Sequence, residues 1–296
     1  MTPMIGIMAS QINGHLEINT WAAKANMTTA RYGMAAGAVG NVIYVVGGVG
    51  DLTTNEAYDT VANTWSSKAA MTTGRYNLTG KVVGTVLYAM GGENGGSTIT
   101  TNQAYDTVAN TWSTKTAMPT GVRGAASAAI GTTVYIFGGS TQANVIQSLN
   151  QAYDTVANTW SSKATMPAAV WAISGAGASI GTIAYVMGGE NGTPKDTNYA
   201  YDSSANTWST KTAMPAAKSR SASATVGTKV YVMGGENGSG VLNTNYAYDT
   251  VANTWATKAN LPSVTELACA VGINGIVYLI GGYTTGTSNQ TQAYSV

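Results

Sequence analysis

The stretch Val42-Ile43-Tyr44-Val45-Val46-Gly47-Gly48, followed after six residues by Asn55-Glu56-Ala57-Tyr58-Asp59-Thr60-Val61-Ala62-Asn63-Thr64-Trp65, decides the fold. Val42 to Val46 is β-branched and aromatic and reads as a strand that stops at the glycine pair. The residues before it, Gly33 to Val39, are small and apolar. They read as a buried strand joined to it by a Gly40-Asn41 hairpin turn. Asn55 to Tyr58 is a third strand. Asp59 to Asn63 is a turn, because Asp and Asn side chains satisfy nearby backbone amides. Thr64 to Lys68 is a fourth strand, and no part of the unit keeps a helical period.

The unit recurs. Gly-Gly pairs stand at 47, 91, 138, 188, 234 and 281, and Trp at 21, 65, 112, 160, 208 and 255. A Tyr precedes every glycine pair by three residues, and a second Tyr ends each third strand: Tyr58, Tyr105, Tyr153, Tyr201, Tyr248 and Tyr294. A Lys follows every repeat Trp by three. Each unit is too small to bury its own faces, so the units must stack on one another. Six four-stranded antiparallel units predict an all-β, six-bladed β-propeller. Trp21 precedes the first glycine pair, and the last pair is followed by Tyr294 and two residues. Leu16 to Lys24 is therefore expected to supply the outer strand of the last blade and close the ring. Tyr294 precedes Ser295 where its equivalents precede Asp, as expected if no turn follows it. Residues 1–12 are read as a lead segment and 13–296 as one propeller domain.

Over about residues 16 to 296 these motifs resemble the kelch family, whose repeat has a strand ending in Gly-Gly, then a Tyr, then a Trp. The resemblance implies a propeller that serves recognition or, in some members, catalysis. Copper radical oxidases of this architecture need two His and a Cys-Tyr pair. Here there is one His, His15, outside the blades, and one Cys, Cys269, in an apolar run. Sialic-acid mutarotases use Glu and Arg near the channel, and that alternative stays open. A weaker resemblance, carried by Met4 to Leu16, is to structural proteins of marine bacteriophages. It implies a virion or tail-associated protein.

Charge is sparse: 14 Lys and Arg against 13 Asp and Glu in 296 residues. That balance offers no basic field for a nucleic-acid backbone or a membrane surface. One His and one Cys cannot build a multidentate metal site. No Ser-His-Asp set or phosphate loop is present. No cofactor is expected, and no signal or membrane-spanning segment is read, which leaves a virion or cytoplasmic location. Cys269 is expected to be buried and inert.

The residues that recur in every unit are read as scaffold. Those that vary lie in the inter-blade links and after the glycine pairs, which the meander brings to one mouth of the channel. Variable loops on a rigid frame are where binding resides. The links carry Arg31, Tyr32, Arg75, Tyr76, Arg123, Trp171, Lys218, Arg220 and Glu266, and the post-glycine loops carry Asp51, Glu93, Glu190, Glu236 and Tyr283. Six positive and six negative residues fall on this rim, including Lys195 and Asp196. Arg forks and aromatic plates suit glycans and protein hot spots. The expected function is a non-enzymatic, monomeric recognition module for a glycan or a protein. The alternatives are a mutarotase-like sugar enzyme and a purely structural scaffold whose rim charges pair with one another.

Overall fold

The chain forms six four-stranded antiparallel sheets in a computed structural model that describes residues 19–172 and 177–296. The lead segment, the phage-like stretch, His15 and the first residues of the expected closing strand lie outside the described residues. Blade 1 has strands Ala35–Val39, Val42–Val46, Asn55–Asp59 and Thr64–Ser67, close to the expected bounds. The inner strands of blades 2 to 6 begin at Thr79, Ala126, Gly177, Ala222 and Cys269. Blade 6 takes its outer strand from Thr20–Lys24, which pairs with Thr291–Ser295 in the register Trp21 to Tyr294. The ring is thus a six-bladed propeller closed by its N-terminal strand. Among the described residues no helix is long and apolar enough to cross a membrane.

The recurrent residues hold each blade to the one before it. Every repeat Trp donates its indole N–H to the carbonyl that follows the outer strand of the preceding blade. Trp65 bonds Ala25 at 2.8 Å and Trp112 bonds Ala69 at 2.7 Å. Across the closure Trp21 bonds Ala259 at 3.0 Å. The Asn two residues before each Trp stands at positive φ, 54° for Asn63. Its side-chain oxygen accepts from the Tyr58 hydroxyl at 2.7 Å and from the Ala25 amide at 2.9 Å. Asn19 does the same at the closure for Tyr294 and Ala259. Asp59 caps its turn by accepting from the Val61 and Ala62 amides. These two bonds hold its carboxyl below the ordinary carboxylate value. The tyrosines of the third strands are fully buried.

The glycine pair is required by conformation and by space. Gly47 and Gly48 have φ of 73° and 126°. A Cβ on Gly47 would lie 2.7 Å from the Arg75 carbonyl oxygen, inside contact distance.

Candidate functional site: the channel mouth

Each inter-blade link crosses the mouth with three residues of distinct fate. The third residue of each trio is left-handed: Gly33, Asn77, Gly124, Ala172, Arg220 and Leu267 have φ between 50° and 66°. Their backbones bond to one another around the channel. The Gly33 amide donates to Leu267, Asn77 to Gly33, Gly124 to Asn77, Arg220 to Ala172 and Leu267 to Arg220, at 2.7–2.9 Å. This collar fixes the geometry of the mouth whatever side chains it carries.

The first residue of each trio points under the collar. Arg31 and Arg75 are fully buried and Lys218 is 1% exposed. This corrects the sequence-based expectation for all three, which placed them on the rim because they lie in the inter-blade links. The physical reason is a set of carbonyls that need donors. Arg31 bonds the carbonyl oxygens of Gly47, Thr54 and Val45, and pairs with Glu56 at 2.9 Å. Arg75 bonds those of Gly91, Thr101 and Ala89, and the Gln103 side chain at 2.6 Å. Burial pulls Arg75 down to about 10, so it stays charged at neutral pH. Lys218 donates to the Thr244 hydroxyl at 2.7 Å and lies 4.4 Å over the Tyr246 ring. Val122 and Val170 fill the same position in blades 3 and 4 and are buried as well.

The second residue of each trio forms the rim, bridged antiparallel to the residue after the glycine pair. The pairs are Tyr76 with Glu93, Arg123 with Ser140, Trp171 with Glu190, Ser219 with Glu236 and Glu266 with Tyr283. Tyr32 takes this place in blade 1, its carbonyl accepting from Val49 at 3.0 Å. Twelve side chains therefore ring the mouth, two per blade, and the combination differs in every blade. Arg123 pairs with Glu93, whose other oxygen accepts from Tyr76 at 3.0 Å. Arg220, from the collar, reaches Glu266 at 3.3 Å and Glu190 at 3.9 Å. Tyr32 and Tyr283 meet edge to face at 5.5 Å.

Ser219 was not among the sequence candidates. Its hydroxyl lies 3.0 Å from a Glu190 oxygen and 2.8 Å from a Glu236 oxygen. Aligning the trios would have found it, since it stands where Tyr32 and Trp171 stand. Burial acts to raise the Glu236 carboxyl, but bonds from Ser219 and the Gly238 amide and the charge of Arg220 outweigh it. Glu236 is thereby held ionised, an acceptor rather than a proton donor. Glu56, the partner of Arg31, was also missed.

Setting aside the buried Arg31, Arg75, Lys218, Glu93 and Glu266 leaves Arg123, Arg220 and Lys195 against Asp51, Glu190, Asp196 and Glu236, three positive against four negative. The mouth is mixed in charge and aromatic, with its two arginines engaged by its own carboxylates. Among the described residues no three His, Cys, Asp or Glu cluster as a metal site.

Comparison with known proteins agrees with this architecture. A family model described as the KLHDC2/KLHL20/DRC7 Kelch-repeats domain matches residues 33–214 and again 124–296. The solved structure of YjhT superposes with a TM-score of 0.81 at 15% identity, over 92% of this chain and 96% of that one. At that identity the likeness is one of fold. No curated protein sequence matches.

Proposed function

The chain belongs to the kelch-repeat family, and on that premise we propose that its channel mouth is a recognition surface for a neutral glycan. One observation carries this. Six different side-chain pairs stand on one repeated backbone frame, fixed by the collar and the glycine pairs. Ser140, Ser219, Glu93 and Glu266 are buried there, but a purely structural ring would have no use for Tyr32, Tyr76, Arg123, Trp171 and Tyr283 exchanging at the open positions. Tyr32, Trp171 and Tyr283 offer flat apolar faces beside oriented carboxylates, the combination that stacks on and hydrogen-bonds a sugar. Glu190 and Glu236, which lie on either side of Ser219, disfavour an acidic sugar beside them. Glu236 is held ionised, which speaks against a role for it as a catalytic acid.

A glycan array probed with the wild-type protein and with Tyr32→Ala and Trp171→Ala tests the proposal. A neutral glycan bound by the wild type and weakened at least tenfold by either change is the expected result. A Val61→Ser variant, on the opposite face, should bind as the wild type does. No glycan bound, or binding indifferent to both aromatic changes, would overturn it. In the second case a protein partner for another face becomes the better assignment. A virion location, with the mouth turned to a host surface, accords with a recognition role and rests on the phage-like N-terminal stretch alone.

A further inference from the structure

Below the collar the central channel holds a cavity of about 250 Å³, bounded by all six inner strands. At about 30 Å³ per water it has room for roughly eight waters. Its wall is backbone and small side chains, the methyl groups of Ala36, Ala224 and Val271 beside the hydroxyls of Ser179, Ser223 and Thr225. One side chain breaks the pattern. Lys81 stands on the inner strand of blade 2, where the other blades have Gly37, Ala128, Ala178, Ala224 and Val271.

The Lys81 ammonium reaches across the channel to the Gly177 carbonyl of blade 4 at 3.1 Å. No Asp or Glu lines the cavity among the described residues. The side chain still meets channel water, but crowding by the protein pulls its amine down to about 8. At neutral pH it therefore remains mostly a cation, placed in a channel without a countercharge on the wall. As a strut between blades this is a poor device. A neutral amide would make the same single hydrogen bond without the cost of desolvating a charge. An ammonium has three donors, and Gly177 takes one.

We propose that the channel binds a short aliphatic monocarboxylate, its carboxylate on the Lys81 ammonium and its chain against the alanine and valine wall. One compact ammonium, with no Arg fork beside it, matches a single negative charge better than a phosphate. The mouth carboxylates Glu190 and Glu236 and the collar oppose anion entry from that side. The inner hairpin turns at the other end, such as Gly40-Asn41, Gly84-Thr85 and Gly131-Thr132, carry no charge, and the Asp of the neighbouring turns, such as Asp59, are engaged by their own turn amides.

Calorimetric titration with butyrate, butyramide and inorganic phosphate at constant ionic strength tests this site independently of the mouth. Butyrate should bind saturably, and butyramide, the same shape without charge, at least tenfold more weakly. Lys81→Met should abolish butyrate binding. In the wild type, butyrate affinity should fall at least tenfold between pH 7 and pH 10 as the ammonium loses its proton. Cys269 is the titratable neighbour on the facing strand of blade 6, and burial pushes its thiol up to about 12, outside that window. This pH series needs no variant, so it decides the matter even if Lys81→Met folds poorly. Absent butyrate binding, binding independent of pH, or equal binding by Lys81→Met would overturn the site. Phosphate binding more tightly than butyrate would overturn the monocarboxylate assignment.

Discussion

Replacing Lys218 with Met should stabilise the protein, and more so at low pH. The side chain is 1% exposed and has no carboxylate partner, and desolvation takes its amine from 10.5 to about 7. Between those two values the unfolded chain holds a proton that the folded chain lacks. Stability therefore climbs as pH rises through this window and is lowest below pH 7. At about 1.4 kcal/mol per pH unit, the displacement costs the folded state on the order of 5 kcal/mol at acid pH. The Tyr246 ring and the Thr244 hydroxyl return part of this. A desolvated cation over an aromatic ring is worth about 2 kcal/mol. Met has nearly the same length and no charge. Blade 4 shows that the position accepts an apolar residue, since Val170 packs there in one cluster with Tyr199. Lys218→Met should therefore gain about 3 kcal/mol at pH 6, with the gain vanishing toward pH 10. Urea unfolding followed by Trp fluorescence at pH 6, 8 and 10 measures it. A loss of stability at pH 6, or a gain that does not change with pH, would refute the desolvation argument.

Three further perturbations probe the scaffold, each read by urea unfolding. Glu56→Gln leaves the buried Arg31 without its countercharge and should cost about 3–5 kcal/mol. Adding Arg31→Met, which approaches the Val122 and Gln151 combination of blade 3, should restore more than half of that loss. Gly47→Ala forces a side chain into the left-handed region and against the Arg75 carbonyl, and should cost about 2–4 kcal/mol. Asn19→Ala removes the acceptor shared by Tyr294 and Ala259 at the ring closure and should cost about 2 kcal/mol. Hydrogen exchange should speed up first at residues 291–295, the strand that the N-terminal segment covers, and not in blades 2 or 3.

Why the scaffold could be read in the sequence and the mouth only in part follows from what each residue must satisfy. Tyr58, Asp59, Asn63 and Trp65 act through contacts whose partners lie at fixed offsets, in the same turn or one blade away. Repetition makes such contacts visible, and Trp21 ahead of the first glycine pair located the closure, with Ser295 in place of Asp in support. Charge is a weaker guide, because it signals a need for partners rather than a place. Arg31, Arg75 and Lys218 meet that need under the collar, among strand-end carbonyls, a Thr hydroxyl and an aromatic ring. Arg123 and Arg220 meet it on the rim, among carboxylates. The position within the trio separates the two groups. The first place of each link is buried whether it holds Arg, Lys, Val or Thr. Its occupant is matched to the second residue of the third strand in the same blade: Arg31 with Glu56, Arg75 with Gln103 and Lys218 with Tyr246. Charge at that place serves blade packing, and the sparse charge left to the mouth stays mixed in sign. The mouth carboxylates Glu190 and Glu236 and the channel cation Lys81 stand at two depths of one ring. A carboxylate is disfavoured beside Glu190 and Glu236 and a neutral sugar gains nothing from the Lys81 charge, so the two proposed sites should not compete for the same molecule.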